Sequence, residues 1–423
     1  MTERLPPTRM TRRHVLLAHH FFHPDDVVSA RLFTDLALGL RARGWEVTAL
    51  TSDRSWSDPK KRLPSHAQLD GVHIERVHRP AWGQAQSAER LANSAWLLAA
   101  WTRRMARMPP ADAVIVGSDP AFAPMAMIAW RRLWPDAARV HWCYDVYPEV
   151  IVADGAGAAV RSFATLARRL MGEGYRCCDA LVDLGPGMRQ RLATYETNAL
   201  RATISPWALV EPPGAPNPPD PRVREELFGG AQVGLLYSGT LGRAHDFRAL
   251  LELARACRQR SGNRIALCFS CRGHRLSELT AALGPDDTNV RVAVFCSEDA
   301  LGARLQAADL HALSLQPGWA GLVVPSKFFG SLAVGRPVVY SGPAASDIAQ
   351  WVASLGVGYE LRTETASKTV EALHVLAESP ETLRAMQRRA RAVYDAEFCR
   401  ELGLAAWDRI LGTLVDGNGR RAG

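Results

Sequence analysis

Eleven residues near the middle of the chain, Glu211-Pro212-Pro213-Gly214-Ala215-Pro216-Asn217-Pro218-Pro219-Asp220-Pro221, carry six prolines. Proline has no backbone N–H and a fixed φ, so this run can be neither helix interior nor central strand and reads as a semi-rigid connector. At 423 residues the chain is also longer than one core usually spans. We therefore expect an N-terminal domain over 1–210, a linker over 211–222, a second domain over 223–395 and a closing segment over 396–423.

Each half alternates two periodicities. In the first, 14–18 reads as a strand, 30–43 as an amphipathic helix stopped by Gly44, and 47–51 as a second strand, which makes a βαβ unit. Further strands are expected over 72–77, 113–116, 140–144 and 180–184. The second half gives helices over 247–258, 276–283 and 300–307 between strands over 265–270, 290–295 and 310–315. The fold class is α/β: two Rossmann-like domains, each a parallel sheet with helices on both faces, enclosing a cleft. The first βα loop, HHFFHPDDVVSAR, has no G-x-G-x-x-G, which argues against a nicotinamide or flavin domain. His19, His20 and His23 are candidate substrate contacts; no metal centre is expected, since no partner ligand is evident beside them.

Composition narrows the partners. Lys and Arg number 51 against 43 acids, a net charge of +8, compatible with nucleic acid, anionic lipid or a phosphorylated substrate. No basic arm or RNA-binding aromatic signature is present, so nucleic acid ranks last. The eight cysteines include Cys177-Cys178 and a lone Cys268-x-x-Cys271 with no second pair, which reads as free thiols in a reducing cytoplasm. No apolar run reaches membrane-spanning length. Along 88–108, however, Trp96, Trp101, Arg103, Arg104 and Arg107 gather at one end of a helix. Tryptophan beside arginine suits an anionic membrane surface; the other reading is a plain core-packing helix. The expected location is cytoplasmic, with a peripheral seat at the inner face of the cell membrane.

Three segments carry chemistry. Leu235-Leu236-Tyr237-Ser238-Gly239-Thr240-Leu241-Gly242-Arg243 runs from a strand into a glycine-containing loop, where backbone can approach a ligand and Arg243 offers a diphosphate its fork. Val324-Pro325-Ser326-Lys327 opens a short helix, with Ser326 expected as its cap and Lys327 in its first turn, a place where an anion is favoured. Asp145-Val146-Tyr147-Pro148-Glu149 brings two acids to a strand's carboxyl end, where open α/β sheets bind ligands.

In that order, the D-x-Y-P-E, Y-S-G-x-L-G-R and P-S-K segments resemble a retaining GT-B glycosyltransferase of family four, in its bacterial surface-polysaccharide branch. The resemblance implies metal-independent transfer of a hexosyl- or N-acetylhexosaminyl-type sugar from a nucleotide diphosphate to an acceptor hydroxyl, without a cofactor. It assigns Asp145, Glu149, Arg243 and Lys327 to catalysis. The donor would meet Gly239, Gly242, Arg243, Ser326, Lys327 and Asp347, and the acceptor His20, His23 and Asp145. It further implies a terminal helix crossing back to the first domain, and supports membrane docking through that domain, the habit of enzymes using lipid-linked acceptors. Two family glutamates are absent, their positions falling at Leu322 and Gly330, and Asp347 is the candidate substitute at the ribose. A nucleotide-sugar 2-epimerase and a non-catalytic nucleotide-sugar-binding subunit remain as alternatives.

Overall fold

The computed structural model describes residues 13–82, 87–155 and 158–419. Its first domain is built on β1 (His14–Ala18), β2 (Glu46–Ser52), β3 (His66–Leu69), β4 (Val72–Val77), β5 (Ala113–Val116), β6 (Ala138–Trp142), β7 (Ala180–Asp183) and β8 (Leu200–Thr203). They lie in the order β3-β4-β2-β1-β5-β6-β7-β8, parallel throughout except for the antiparallel edge pair β3–β4. The helices are α1 (Val28–Ala42), α2 (Ser87–Met105), α3 (Ala126–Leu133), α4 (Glu149–Ala153), α5 (Ala158–Arg176) and α6 (Pro186–Ala193). The inner strands β1, β5 and β6 are apolar and buried almost end to end, as covering on both faces requires.

The second domain begins with α7 (Pro221–Phe228), whose first turn is capped by Asp220 accepting from the Arg222 and Val223 N–H groups. Six parallel strands follow: β9 (Val233–Thr240), β10 (Ile265–Arg272), β11 (Val290–Ala293), β12 (Leu310–Ser314), β13 (Val338–Ser341) and β14 (Gly358–Leu361), ordered β11-β10-β9-β12-β13-β14. Between and after them come α8 (Arg248–Ser261), α9 (Leu276–Ala282), α10 (Glu298–Ala307), α11 (Lys327–Ala333), α12 (Asp347–Leu355), α13 (Ala366–Glu378), α14 (Pro380–Val393) and α15 (Arg400–Gly419). The α/β architecture of two Rossmann-like domains is the one expected.

The domains are joined by more than their linker. After a π-helical turn at Tyr394–Phe398, α15 lies on the first domain, where Trp407 meets Trp142 edge-to-face at 5.0 Å. Gly39 in α1 has no side chain because Leu404 occupies the space: a Cβ there would sit 2.5 Å from a Leu404 methyl. Arg400 and the Trp207 indole both donate to Asp35. Across the cleft, Asp145 pairs with Val323 as an isolated antiparallel bridge, and the Val146 N–H donates to the Leu322 carbonyl at 3.1 Å.

Candidate active site

Parallel strands point their carboxyl ends the same way, so the loops after β1, β2, β4, β5 and β6 line one rim of the cleft and those after β9 and β12 the other. On the second rim, β9 ends in Gly239, held at φ 114. A Cβ at that point would lie 2.9 Å from the Lys327 Cε, so the missing side chain is what lets Lys327 cross the strand end. Lys327 Nζ donates to the Thr240 carbonyl at 3.0 Å, sits 5.3 Å from the Tyr237 ring centroid and lies 3.3 Å from His245 Nε2. Burial pushes its pKa down to about 8. Burial, and then the lysine, hold His245 well below the usual histidine range.

The protonation pattern of this pair is informative. The Gly242 N–H donates to His245 Nδ1 at 3.3 Å, so a neutral imidazole carries its proton on Nε2, facing an ammonium group that has only donors of its own. In that tautomer the two nitrogens, 3.3 Å apart, do not bond each other, and the lysine keeps the Thr240 carbonyl as its acceptor. An anionic oxygen beside the pair would accept from both.

The loop itself is held by groups that no motif announces. Arg275, after β10, donates to the His245 carbonyl at 2.6 Å; Gln316, after β12, donates to the Arg243 carbonyl at 3.0 Å. Both lie far from the loop in sequence, so only the folded sheet brings them together.

Several expected residues are placed otherwise than the sequence reading supposed. Ser326 occupies the position before α11 but with helical φ and ψ of −62° and −18°, and its side chain makes no capping hydrogen bond; the preceding Pro325 and the turn leave it inside the helical path. Arg243 is tied to Asp154 of the other domain. Gly242 has ordinary space around it, since a Cβ added there would find Thr240 Cγ2 as its nearest neighbour at 3.6 Å. Asp347 has a structural tie the sequence did not show, and its Oδ2 is left without a partner among the described residues. It opens α12 almost fully buried, and its Oδ1 accepts from the Gly187 N–H at 2.7 Å, fastening the second domain to the turn before α6. Burial raises its pKa. At Gly330 a Cβ would meet nothing nearer than 4.0 Å, so crowding does not account for the missing carboxylate.

On the first rim, Tyr144 and Asp145 N–H groups both donate to Ser118 Oγ, at 2.8 and 3.2 Å, which fixes where β6 delivers its acid. Burial, with Asp119 nearby, pushes the Asp145 carboxyl up to about 7. Glu149 accepts from Arg168 at 2.5 Å and from the Tyr195 hydroxyl at 2.9 Å, both within the first domain. His20 Nδ1 pairs with Asp119 Oδ1 at 2.9 Å and His20 is buried; His19 stacks on Phe33 at 4.2 Å, and burial lowers its pKa to about 4. His23 is exposed. His141 is a core histidine bonded to the Val116 carbonyl.

The expected membrane face on α2 is also revised. Trp101 is fully buried against Trp130, and Arg104 is paired with Glu75 at 2.9 Å. Trp96, Arg103 and Arg107 are exposed. Helical geometry explains this: Trp101 falls on the face carrying Leu97 and Met105, which packs on the sheet. Among the described residues no helix is long and apolar enough to cross a membrane, and no group of three or more His, Cys, Asp and Glu is arranged to hold a metal ion.

Comparison with known proteins places this geometry. Residues 29–207 match the family model described as a glycosyl transferase 4-like domain. A curated relative, described as probable glycosyltransferase WbjE of Pseudomonas aeruginosa, is 26% identical over 258 residues, which are 59% of this chain and 62% of that protein. The chain thus aligns with less than two thirds of the relative's length. Among solved structures, sucrose-phosphate synthase from Thermosynechococcus elongatus superposes with a TM-score of 0.71 at 13% identity, covering 96% of this chain and 100% of that one. HepE of Anabaena, solved in complex with UDP, gives 0.65 at 12% identity, covering 95% and 100%. The chain has the GT-B fold, and its residues 29–207 carry the match to a glycosyl transferase 4-like domain.

Proposed function

We propose that this protein is a glycosyltransferase that moves a sugar from a nucleotide diphosphate to an acceptor hydroxyl in the synthesis of a bacterial polysaccharide or glycoconjugate, with retention and without a metal. The observation that carries the reading is the Lys327–His245 pair at the end of β9, a partly buried lysine with its Nζ 3.3 Å from an imidazole nitrogen and beside a strand end opened by Gly239. A diphosphate oxygen beside the pair would accept from both nitrogens. As the glycosidic bond breaks, negative charge builds on that leaving group, and preorganised donors are worth most against developing charge. Gly239 and Gly242 give backbone access, Arg243 reaches the phosphate once it leaves Asp154, and Asp145 faces the acceptor from the opposite rim. His20 is held against Asp119 on the same side. The match over residues 29–207, the WbjE likeness and the UDP bound by HepE agree with this assignment.

The test is a thermal-shift panel of UDP, GDP, dTDP and ADP on the wild type, Lys327→Ala and Arg243→Ala. A ligand at 100 times its Kd stabilises by about 2.7 kcal/mol. The expected result is a shift with one nucleotide that both substitutions diminish. No shift with any nucleotide overturns the donor site. If one binds, the anomeric configuration of the product, read by NMR, checks retention; interconversion of the donor sugar with no acceptor present would favour the 2-epimerase, and binding without turnover the non-catalytic subunit.

A further inference from the structure

Of the 12 tryptophans, three are left largely in solvent: Trp56 is 42% exposed, Trp82 43% and Trp96 43%. All three lie at one edge of the first domain, by the ends of β2 and β4. A single exposed ring needs no explanation, but three gathered at one edge do. Tryptophan joins a broad apolar face to a polar N–H, which suits a partner that is itself apolar on one side and polar on the other.

Sheet order puts these rings in line with the acid of the cleft. From β6, which delivers Asp145, the strands run β5, β1, β2, β4 toward that edge. At about 4.8 Å between neighbours, that is about 19 Å along the rim. Side-chain contacts follow the same route. His20, paired with Asp119 at 2.9 Å, stacks on Phe21 with ring centroids 3.9 Å apart, and Phe21 meets Trp56 edge-on at 5.4 Å. The Trp56 backbone N–H donates to Asp25 Oδ1 at 2.8 Å. Farther on, Asp53 pairs with His78 Nδ1 at 3.0 Å and so ties the loop after β2 to the loop after β4. The Trp96 side chain leans back toward the start of α2, as helical side chains do, and its indole N–H donates to the His78 carbonyl at 2.9 Å. Trp82 stands against it at 80°, with centroids 6.0 Å apart. The rings are thus held in place in the free protein, so binding has little side-chain order left to impose.

Charge decides among the partners that tryptophan suits. Exposed Asp26 and Asp58 stand among exposed Lys60 and Lys61, and Arg62 is paired with Asp53. An anionic bilayer calls for a cluster of cations unrelieved by acids. Acids and amines set among flat apolar rings suit a saccharide chain instead: a pyranose turns a face of C–H bonds to the indole and its hydroxyls to the polar groups around it.

We propose that the acceptor is an oligosaccharide laid along this rim, with its reacting hydroxyl at Asp145, one sugar ring stacked on Trp56 and a more distant one on Trp82 and Trp96. The hydroxyl's fate rests on the glycosyltransferase reading, whereas the stacking rests on the tryptophans alone. Chain length is then a recognised property: a single sugar at Asp145 touches no tryptophan platform.

The test titrates the full chain with cellohexaose, chitohexaose and maltohexaose by calorimetry, with glucose and N-acetylglucosamine as controls. The proteins are wild type, Trp56→Ala, Trp82→Ala and Trp56→Tyr, all changed at exposed positions. The expected result is that at least one hexasaccharide binds about tenfold more tightly than either monosaccharide. Each alanine variant should lose most of that gain and Trp56→Tyr should recover it, while the thermal shift with nucleotide stays the same in all four proteins. No binding of any hexasaccharide overturns the proposal, as does binding that both alanine variants leave intact. Cosedimentation with phosphatidylglycerol vesicles that Trp56→Ala abolishes would give the face to a membrane, and a wild-type dimer that Trp82→Ala dissociates would give it to a second copy; either overturns it. A hexasaccharide held by the tryptophans with no nucleotide bound anywhere would sink the transferase reading and leave the platform standing. Nucleotide binding, with transfer to a monosaccharide as fast as to a hexasaccharide, would do the reverse.

Discussion

On the second domain's rim of the cleft, Lys327, Arg275 and Gln316 each donate a hydrogen bond within their own domain, and Gly239 is shaped to let the lysine through. On the first domain's rim, Arg79 is fully buried just past β4, and among the described residues none of its three guanidinium nitrogens has a hydrogen-bond partner; His19, both ring nitrogens, and His20 Nε2 are in the same condition. Burying polar groups unpaired is expensive. On the function proposed above, the contrast teaches that the donor rim would be preorganised in the free protein for a ligand part of constant chemistry, a diphosphate. The other rim carries polar capacity that its own fold leaves unused, as a surface does when its ligand supplies the missing partners or when the cleft must open to admit one.

The largest expected effect breaks the preorganised side. Lys327→Ala should lower kcat by about 10²–10³-fold, or roughly 2.7–4 kcal/mol, the loss typical of one preorganised donor at developing charge. Gly239→Ala should act through the same lysine, since the added methyl meets its Cε at 2.9 Å. Nucleotide affinity should also fall as pH rises through about 8, where the free lysine loses its proton, and Lys327→Ala should flatten that dependence. Stability has the opposite sign. The folded pKa lies below the unfolded value of 10.5, so between the two the unfolded chain holds the extra proton and the protein gains stability as pH rises. Titrations of UDP affinity and of urea midpoint check both signs.

Next in size is a substitution on the other rim. Arg79→Met should not destabilise the protein; it should raise the unfolding free energy by about 1–3 kcal/mol by removing a buried cation without hydrogen bonds, while acceptor KM rises. Loss of stability in chemical denaturation would show that the nearby Asp25, Asp53 and Asp119 already satisfy the charge, and the contrast between rims would shrink to geometry.

The extent to which this was legible beforehand follows the same division. Alternating apolar runs located the buried strands to within a residue or two, because a strand covered on both faces must be apolar throughout. β3, β8 and β14 were missed, since each is a four-residue edge strand with little buried face to impose a pattern. On the donor rim, glycines and Lys327 stood out as residue types with few other uses in such a loop. The roles of His245, Arg275 and Gln316 were invisible because their partners are set by the neighbouring strands. The tie of Asp347 to Gly187 was invisible for a related reason: an acid opening a helix looks the same in sequence whether it faces a ribose or the backbone of another domain. Trp101 and Arg104 failed because residue type was read without the helical face it falls on.

A smaller effect tests the acids. Asp145 holds its proton to about pH 7 in the folded protein, against 3.8 unfolded; stability is therefore lost as pH rises between these values, and acceptor turnover that needs the carboxylate should fall below about 7. Asp119→Asn removes the neighbouring negative charge, so the acid limb of the kcat/KM profile should move to lower pH. Because burial is the larger cause, the limb should move by less than one unit, which is about 1.4 kcal/mol. An unmoved limb would detach Asp119 from the acceptor rim.

The smallest effect concerns an ion pair that joins the rims through Arg243. Arg243 is half-exposed and paired with Asp154, an arrangement that holds the arginine away from any phosphate while keeping the cleft drawn together. A pair open to water on one side contributes about 0.2–1 kcal/mol. Asp154→Ala should therefore tighten nucleotide binding by up to about fivefold, because the arginine no longer has to leave a partner, and the gain should fade in high salt, where the pair is screened in the wild type as well. Isothermal titration at low and high ionic strength measures this. If affinity drops instead, the pair's contribution to closing the cleft outweighs the competition for Arg243, and the donor rim is then only fully preorganised when the acceptor rim is in place.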